Sequence, residues 1–211
     1  MKKGIARRQQ ADRQERIDQI LAAGRRLFLE KGYLGATVRD IALEAELSTG
    51  TLYFYFKGKD EIYGKICEEA FHILLGLFRR AVAETVRPME RLEALSRAYV
   101  KFYAEYPDYF DILSFRDMGF KKVGLSAAHL ERIDRLSGQV IAILNDVVEE
   151  GMRSGDIHSR CSSMELTITL WAGLEGLFSL DKRGYLKPSG LDLHRMASLQ
   201  ARTLFKGVKA G

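Results

Sequence analysis

The stretch at residues 48–63, STGTLYFYFKGKDEIY, decides the fold, because it places four consecutive aromatic residues between a small polar segment and two lysines. A strand buried on both faces would account for the aromatic residues but not for the small residues before them. A short helix would bury Leu52 and Phe56, which lie four residues apart on one face. We therefore predict a short helix over residues 49–56.

A second short helix is predicted directly before this one. Thr37 and Asp40 have the spacing of a capping box, in which each side chain satisfies the other residue's amide. The apolar residues that follow have helical spacing and form the predicted buried stripe, at Val38, Ile41, Ala42 and Ala45. Only residues 46–48 separate the two helices, and two short helices joined by such a turn match the helix-turn-helix motif.

Long amphipathic runs fill the rest of the chain, and only 3 of the 211 residues are proline. We expect a first helix from about Asp12, where Asp12 and Glu15 offer N-cap chemistry, to a left-handed cap at Gly32. No segment has the alternation of a half-buried strand. The predicted fold is all-α with about nine helices, of which the later ones cover about residues 62–78, 88–105, 107 onward, 126–154, 162–180 and 191–206.

The excess positive charge lies near the N-terminus. The net charge is +5, and residues 1–59 hold 12 Lys and Arg against 7 Asp and Glu, whereas residues 60–211 hold 21 of each. This asymmetry is typical of a chain with one part that meets a polyanion; the alternative is a solvated basic tail. The basic residues of this arm could follow a DNA backbone, enter the minor groove or remain in solvent; they are Lys2, Lys3, Arg7, Arg8, Arg13 and Arg16.

Residue content disfavours several classes of protein. The charged N-terminus has no apolar segment after it, so we expect no signal peptide, and no apolar run reaches the roughly 18 residues of a membrane-spanning helix. The two cysteines, Cys67 and Cys161, form no CxxC pair and fit the cytoplasm. The four histidines lack metal-site spacing, and no nucleophile lies beside a candidate base. We therefore expect no enzyme, no metal and no cofactor.

The basic arm, the helix-turn-helix and the run TGTLYFYFKGKDEIY resemble the DNA-binding domain of the TetR family of bacterial transcriptional regulators over about residues 13–62. The residues that carry the resemblance are the Gly-Thr-Leu-Tyr run at 50–53, then Phe56, then Lys57 and Lys59 before an acidic pair. It implies a basic arm (1–11), a three-helix helix-turn-helix domain (12–59) and a helical ligand-binding and dimerisation domain (60–211).

The same resemblance implies DNA contacts from both short helices. The major groove of B-DNA admits one α-helix, presented by its N-terminal residues. Small residues at positions 49–51 would allow that helix to approach the bases closely. The alternative for Thr49 and Thr51 is that they serve only as helix caps. Arg39 is the candidate for a bidentate guanine contact, with a solvated arginine as the alternative. Tyr53 would reach a phosphate, whereas we expect Phe54 to pack inside the domain or against the fourth helix. The full predicted set is Thr37, Val38, Arg39, Thr49, Gly50, Thr51, Tyr53, Tyr55 and Lys59.

Two residues depart from the family pattern. Tyr55 stands where many members carry His, so its contact could differ or be lost. Glu46 stands in the turn where Gly is common, and a left-handed backbone there would cost roughly 1 kcal/mol more for Glu than for Gly.

Beyond residue 59, the resemblance implies a pocket for a small, largely apolar effector and a homodimer through the last two helices. The eighth helix is apolar around nearly its whole circumference, which predicts burial by its own core and by a partner, with a central core helix as the alternative. Aromatic residues could line the pocket, although core packing would also explain each of them. The candidate ligand residues are Phe71, Phe78, Phe102, Tyr103, Tyr106, Phe110, Trp171 and Glu175, with Tyr109 and Phe115 in the same aromatic group.

Three further polar residues of the second domain lie among apolar ones. We expect Glu175, His72 and Tyr99 to be buried and hydrogen-bonded, with a ligand contact as the alternative for each.

The sequence as a whole, with this resemblance, predicts a dimeric, cytoplasmic, sequence-specific DNA-binding regulator that binds a double-stranded operator and has no membrane partner. We expect it to act as a repressor released by a small molecule. A transcriptional activator, or a helical ligand-binding protein that retains a helix-turn-helix, is the alternative.

Overall fold

The chain is helical wherever the structure describes regular elements. The computed structural model describes residues 2–114 and 125–207, with side chains at 7–114 and 125–203, so the predictions for the side chains of Lys2, Lys3 and Phe115 lie outside the described residues. The fold is all-α, as predicted, and these residues contain no strand. Their helices are α1 (Lys2–Gly35), α2 (Val38–Glu44), α3 (Thr49–Tyr55), α4 (Lys59–Ala83), α5 (Pro88–Glu105), α6 (Pro107–Ser114), α7 (Ala127–Ser154), α8 (Ser163–Lys182), α9 (Leu193–Gly207) and a short 3-10 helix (Lys187–Ser189).

Helix α1 begins at Lys2, so the prediction of an N-cap at Asp12 is wrong. The residues before Asp12 are rich in Ala, Arg and Gln, which are good helix formers, and they extend the helix past the capping position. Farther along the exposed surface, Gln14 donates a hydrogen bond of 2.8 Å to Asp18, one turn later. The predicted basic arm is therefore the first part of α1 rather than an extended or unstructured tail.

Two residues with positive φ mark breaks in the helical backbone. Gly32 has φ 70° and ψ 167°, an extended positive-φ conformation that is essentially restricted to glycine. The positive φ agrees with the left-handed cap that was expected at Gly32, but its ψ is extended rather than left-handed helical. Glu46, in the turn between α2 and α3, has φ 53°. Among the described residues it is the one residue other than glycine that has a positive φ. The backbone at Glu46 is therefore left-handed, so the cost relative to Gly that was considered for this turn applies.

Side-chain caps start both short helices. At α2, Thr37 Oγ1 accepts a hydrogen bond of 3.1 Å from the Asp40 amide, and the Thr37 amide donates one of 3.1 Å to Asp40 Oδ2, which confirms the capping box. The hydrogen bonds from Thr37 hold the pKa of Asp40 below its usual value. At α3, Ser48 Oγ accepts a hydrogen bond of 3.0 Å from the Thr51 amide. The chain therefore fixes where each short helix begins.

The residues divide into two compact units, Met1–Ala70 with Asp108–Arg135 and Phe71–Pro107 with Leu136–Gly211. In the first unit α1 packs on α2 and α2 on α3. A Cβ on Gly24 would lie only 2.7 Å from Ile62 Cγ2, so this glycine lets α1 approach α4 closely. Among the largest side chains that are fully buried in this core are Ile20, Ile41, Leu52, Ile62, Tyr63 and Ile66. The domain boundaries at residues 11 and 59 were set by expected function rather than by packing, and they stay a prediction.

A buried charged group joins α4 to α7 within the first unit. Glu68 is 7% exposed, and its carboxylate accepts a hydrogen bond of 2.6 Å from Arg132 Nε. The ring of His129 lies against the backbone of Gly64, where a Cβ would be 2.5 Å from Nδ1. Burial raises the pKa of Glu68, but the hydrogen bond and charge of Arg132 outweigh burial and bring it below its ordinary value. The carboxylate therefore stays ionised and paired.

In the second unit α9 packs against α5 and α8. Helix α8 begins with a capping box formed by Ser162 and Glu165. Gly173 allows α8 and α9 to approach closely, since a Cβ there would lie 1.8 Å from Gln200 Nε2 of α9. The Gln200 side chain instead donates a hydrogen bond of 3.1 Å to the Leu170 carbonyl. The buried residues of α8 lie on one side of the helix and are Leu166, Thr167, Leu170, Leu174 and Phe178.

Three further findings concern membranes, metals and thiols. None of the helices in the described part of the chain is long and apolar enough to cross a membrane. The described residues include no group of three His, Cys, Asp or Glu side chains that could hold a metal ion. Both cysteines are free; Cys161 is exposed, and burial raises the pKa of Cys67 to about 12.

Replacing Glu46 by Gly is expected to stabilise the protein by roughly 0.5–1 kcal/mol, because glycine adopts the positive φ of this turn without the Cβ clash. Denaturant unfolding followed by circular dichroism measures the change. The matched control is Glu46→Ala, which removes the same charge but keeps a Cβ, and it should give no such gain. Equal stability of the Gly variant and wild type would contradict the account of this turn.

Candidate nucleic-acid interface

Two buried side chains fix the orientation of α3. Leu52 is 0% exposed, and Phe56, at the C-cap of the helix, is 6% exposed. They lie about one helical turn apart, so the face of α3 that meets the core is set. The residues at 49–51, 53 and 54 are all exposed. Helix α3 therefore presents these five residues to solvent.

The N-terminal end of α3 carries only small side chains and is therefore narrow. Thr49 and Gly50 are exposed, and a Cβ on Gly50 would meet only Ser48 Oγ, at 3.8 Å. The Thr51 hydroxyl lies 2.8 Å from Ser48 Oγ, so Thr51 shares in the cap. Ser48 was missed as the cap, although it directly precedes the helix and is among the preferred N-cap residues. A small, exposed helix start of this kind can approach base edges closely.

The aromatic residues of α3 take three different environments. Tyr53 is 53% exposed, Tyr55 is half-buried, and Phe54 is 76% exposed. The prediction that Phe54 packs inside the domain or against the fourth helix is wrong. Phe54 lies about 200° from Leu52 around the helix axis, so it points away from the core. This helical-wheel position was readable from the sequence.

Helix α2 contributes exposed polar groups beside α3. Arg39 is exposed and Val38 is half-buried. Thr37 is exposed, but its hydroxyl donates a hydrogen bond of 2.8 Å to Asp40 Oδ2, the same oxygen that binds its amide. A DNA contact by Thr37 therefore has to compete with these bonds, whereas Arg39 projects from the helix surface.

Lys59 joins the end of α1 to the start of α4. Its ammonium group donates hydrogen bonds to the carbonyls of Tyr33, at 2.9 Å, and Ala36, at 3.0 Å. It also lies 4.5 Å from the centre of the Tyr33 ring. A lysine that binds the last carbonyls of a helix stabilises the helix end. This role of Lys59 could not be predicted from local sequence, because Tyr33 and Ala36 are distant from it along the chain.

The basic residues of the predicted arm that have described side chains are all exposed, at Arg7, Arg8, Arg13 and Arg16. Because they are part of a helix, they extend from its surface rather than from a flexible chain. They stay candidates for contacts with DNA, along the backbone or in the minor groove, with exposure to solvent alone as the alternative.

In the second unit, Glu175 of α8 is the centre of a polar group. Its carboxylate accepts a hydrogen bond from the Tyr99 hydroxyl and another, of 3.2 Å, from Trp171 Nε1. Burial, and then the charge of Glu175, raise the pKa of Tyr99 well above its usual value. Tyr99 therefore stays a neutral donor. Glu175 and Tyr99 are hydrogen-bonded, as expected, but both are half-buried rather than buried.

Aromatic rings surround this polar group. Tyr103, one turn after Tyr99 on α5, stacks on Phe178 of α8 with 4.6 Å between ring centres and donates a hydrogen bond of 2.7 Å to Asp181. The Tyr99 ring meets Phe178 edge-on at 5.1 Å. Phe178 and Asp181 were missed, although Glu175 and Phe178 are three residues apart and so lie on one face of α8.

The remaining candidate ligand residues are spread more widely. Phe71, Phe78 and Phe102 are buried in the second unit, and Tyr106 stacks on Phe102 at 6.0 Å. Phe110 belongs to the first unit, where it is 3% exposed. The described contacts therefore do not place Phe110 with the other candidates.

His72 is exposed, so the expectation that it is buried is wrong. Its neighbours on α4 at helical spacing, Phe71, Leu75 and Phe78, are buried. They take the inward face of the helix, and a residue directly after Phe71 points elsewhere.

The chain matches known families over most of its length. It matches the family described as "Bacterial regulatory proteins, tetR family" over residues 20–66 and the one described as "Tetracyclin repressor-like, C-terminal domain" over residues 92–204, more than half of the chain.

Individual proteins are similar to it at lower identity. It is 25% identical to the HTH-type transcriptional repressor NicS of Pseudomonas putida over 149 residues, 71% of this chain and 68% of the relative. It is 24% identical to the HTH-type transcriptional repressor BepR of Brucella suis over 205 residues, 97% of each chain. The fold is similar to that of the TetR family transcriptional regulator PfmR from Thermus thermophilus, with a TM-score of 0.76 at 23% identity, over 92% of this chain and 97% of that one.

Replacing Gly50 by Ala is expected to leave the free protein at least as stable as wild type, because the added methyl group has space and Ala favours a helix. Affinity for operator DNA should fall roughly tenfold or more, since the methyl group would hold the helix away from the bases. Gly138→Ala is the matched control, because Gly138 is an exposed glycine of α7 with nothing within 4 Å of an added Cβ. Fluorescence anisotropy with labelled operator measures both variants. Unchanged affinity of the Gly50 variant would remove Gly50 from the interface.

Proposed function

Since the chain belongs to the TetR family of bacterial regulatory proteins, we propose that this DNA-binding transcriptional regulator is a homodimeric repressor that a small molecule releases from its operator. The observation that carries the proposal is the surface of α2 and α3, where a narrow helix start at Gly50 lies in the same motif as the exposed Arg39. The repressors NicS and BepR, to which the chain is similar, support the sign of regulation.

Each residue of this surface has a role that suits its chemistry. Arg39 has two parallel N–H donors for the O6 and N7 atoms of a guanine. Tyr53 carries a hydroxyl on a rigid ring at the edge of α3 and would bind a phosphate oxygen. Lys59 uses two N–H donors within the protein, and the third is left for a phosphate. The other proposed contacts come from Thr37, Val38, Thr49, Gly50, Thr51 and Tyr55.

We assign the dimer interface to α8 and α9. The side of α8 opposite its buried residues carries an exposed row of apolar and small residues at every fourth position: Met164, Ile168, Ala172, Gly176 and Leu180. Such a row forms a ridge that packs into the groove of a facing helix. Trp171 beside this row is 40% exposed and Leu199 of α9 is 48% exposed. Apolar side chains on both helices favour a shared interface with a second copy.

We place the effector site among the rings around Tyr99, Tyr103 and Phe178, with Glu175 as its charged group. Ligand sites of this kind are mostly apolar with a few directed polar groups. An effector that prefers a different separation of the two helix-turn-helix units would shift the population away from the DNA-binding state. The protein then acts in the cytoplasm, where operator and effector meet.

Arg39→Ala is expected to weaken operator binding by about tenfold to a hundredfold and to relax the preference for one guanine, because each bidentate contact discriminates by roughly 1–3 kcal/mol. Tyr53→Ala should instead weaken binding to all sequences by a similar factor, because a phosphate contact carries no sequence information. The affinity of the wild-type protein for operator DNA should fall steeply as the salt concentration rises. Circular dichroism is the control for folding. Unchanged binding of both variants, or no dependence on salt, would overturn the assigned surface.

Ile168→Glu is expected to shift the protein toward monomer at micromolar concentration, because it places a charge in the middle of the proposed apolar interface. Sedimentation velocity measures the effect. Val86→Glu is the matched control, since Val86 is 79% exposed and lies outside α8 and α9. A dimer that withstands the change at Ile168 would mean that the interface lies elsewhere.

A further inference from the structure

Phe54 is an exposed aromatic residue on the outward side of α3. It is 76% exposed, more than Tyr53 at 53%, although it is the more apolar of the two. Gly50 and Thr51 precede it by four and three residues, so they share its side of the helix. The ring therefore lies on the part of α3 that would enter a major groove.

The position of the ring is restrained by its neighbour. The Phe54 ring meets the Tyr55 ring edge-on, with 5.2 Å between ring centres and 88° between the ring planes. Tyr55 is itself half-buried, so it supports Phe54 from the side of the domain. Edge-to-face pairs of this kind stabilise one relative orientation of the rings.

The chemistry of the side chain limits what it can contact. Phenylalanine has no donor or acceptor, so Phe54 cannot hydrogen-bond a phosphate or the polar edge of a base. On the base edges of the major groove the apolar group is the C5-methyl of thymine. Contact with a sugar would also be apolar but would carry no sequence information.

We propose that Phe54 determines specificity by packing its ring against the C5-methyl of one thymine in each half-site. This inference rests on the proposed function, because it assumes that α3 enters the major groove. It adds an apolar reading of one base pair to the guanine contact assigned to Arg39. Tyr55 acts as the positioning residue for the Phe54 ring.

The experiment uses an operator obtained by selection from random DNA, in which each thymine is replaced in turn by deoxyuridine, which lacks only the methyl group. Wild-type affinity should fall about fourfold per half-site at one position, the factor that corresponds to one buried methyl-sized group. Phe54→Ala should bind the thymine operator more weakly and lose all sensitivity to uracil at that position. Phe54→Leu, which keeps an apolar side chain there, should retain part of the sensitivity.

Several results would overturn the proposal. One is a wild type that is indifferent to uracil at every position, and another is a Phe54→Ala variant that is as sensitive as wild type. A third is a Phe54→Ala variant that loses the same factor on operator and on random DNA, which would indicate a contact with the sugar. Val86→Ala, a change at an exposed apolar residue of the second unit, should match wild type throughout.

A failure of the role of Phe54 can be distinguished from a failure of the proposed function. If the wild type selects an operator but does not respond to uracil, only the role of Phe54 is wrong. If the wild type selects no sequence and binds DNA without salt dependence, the proposed function is wrong as well. Thermal unfolding followed by circular dichroism confirms folding of each variant, and the exposure of Phe54 predicts little change in the midpoint.

Discussion

The burial of Leu52, with Phe56 one turn later, is the constraint on which the proposed DNA-binding surface depends. A seven-residue helix has too few backbone hydrogen bonds to be stable alone, so these two side chains both hold α3 in place and set its rotation. Because Leu52 is fully buried, the narrow start at Gly50 and the ring of Phe54 must face solvent. The same contact that stabilises the helix therefore determines which side chains can meet a base.

The surroundings of this helix reinforce the constraint. Thr37 and Ser48 cap the two short helices, and Lys59 binds the final carbonyls of α1, so the starts and ends of the motif are fixed by polar groups. Glu46 is the exception, since its positive φ costs stability in the turn where glycine would be relaxed. A rigid motif is what base recognition needs, because contacts with base edges depend on short distances and fixed angles.

Much of this architecture could be predicted from local sequence patterns, and the misses have physical causes. Caps and apolar spacing located α2 and α3, because each depends on neighbours within a few residues, whereas the strained turn at Glu46 was indicated by the family pattern, which has Gly there. The predicted helix start at Asp12 was wrong, because a residue that can cap does not begin a helix when the residues before it are also helix formers. Phe54 was misjudged because hydrophobicity was given more weight than its angle from Leu52. The role of Lys59 could not be predicted, since its partners are brought to it only by the fold.

If two copies of α3 read two half-sites in successive major grooves, selection of bound sequences from random double-stranded DNA should enrich one inverted repeat. Its half-sites should have centres about 10–10.5 base pairs apart, or a multiple of this spacing. Each half-site should contain at least one guanine and one thymine at fixed positions. Enrichment of no sequence, or of a single unpaired half-site, would contradict the account.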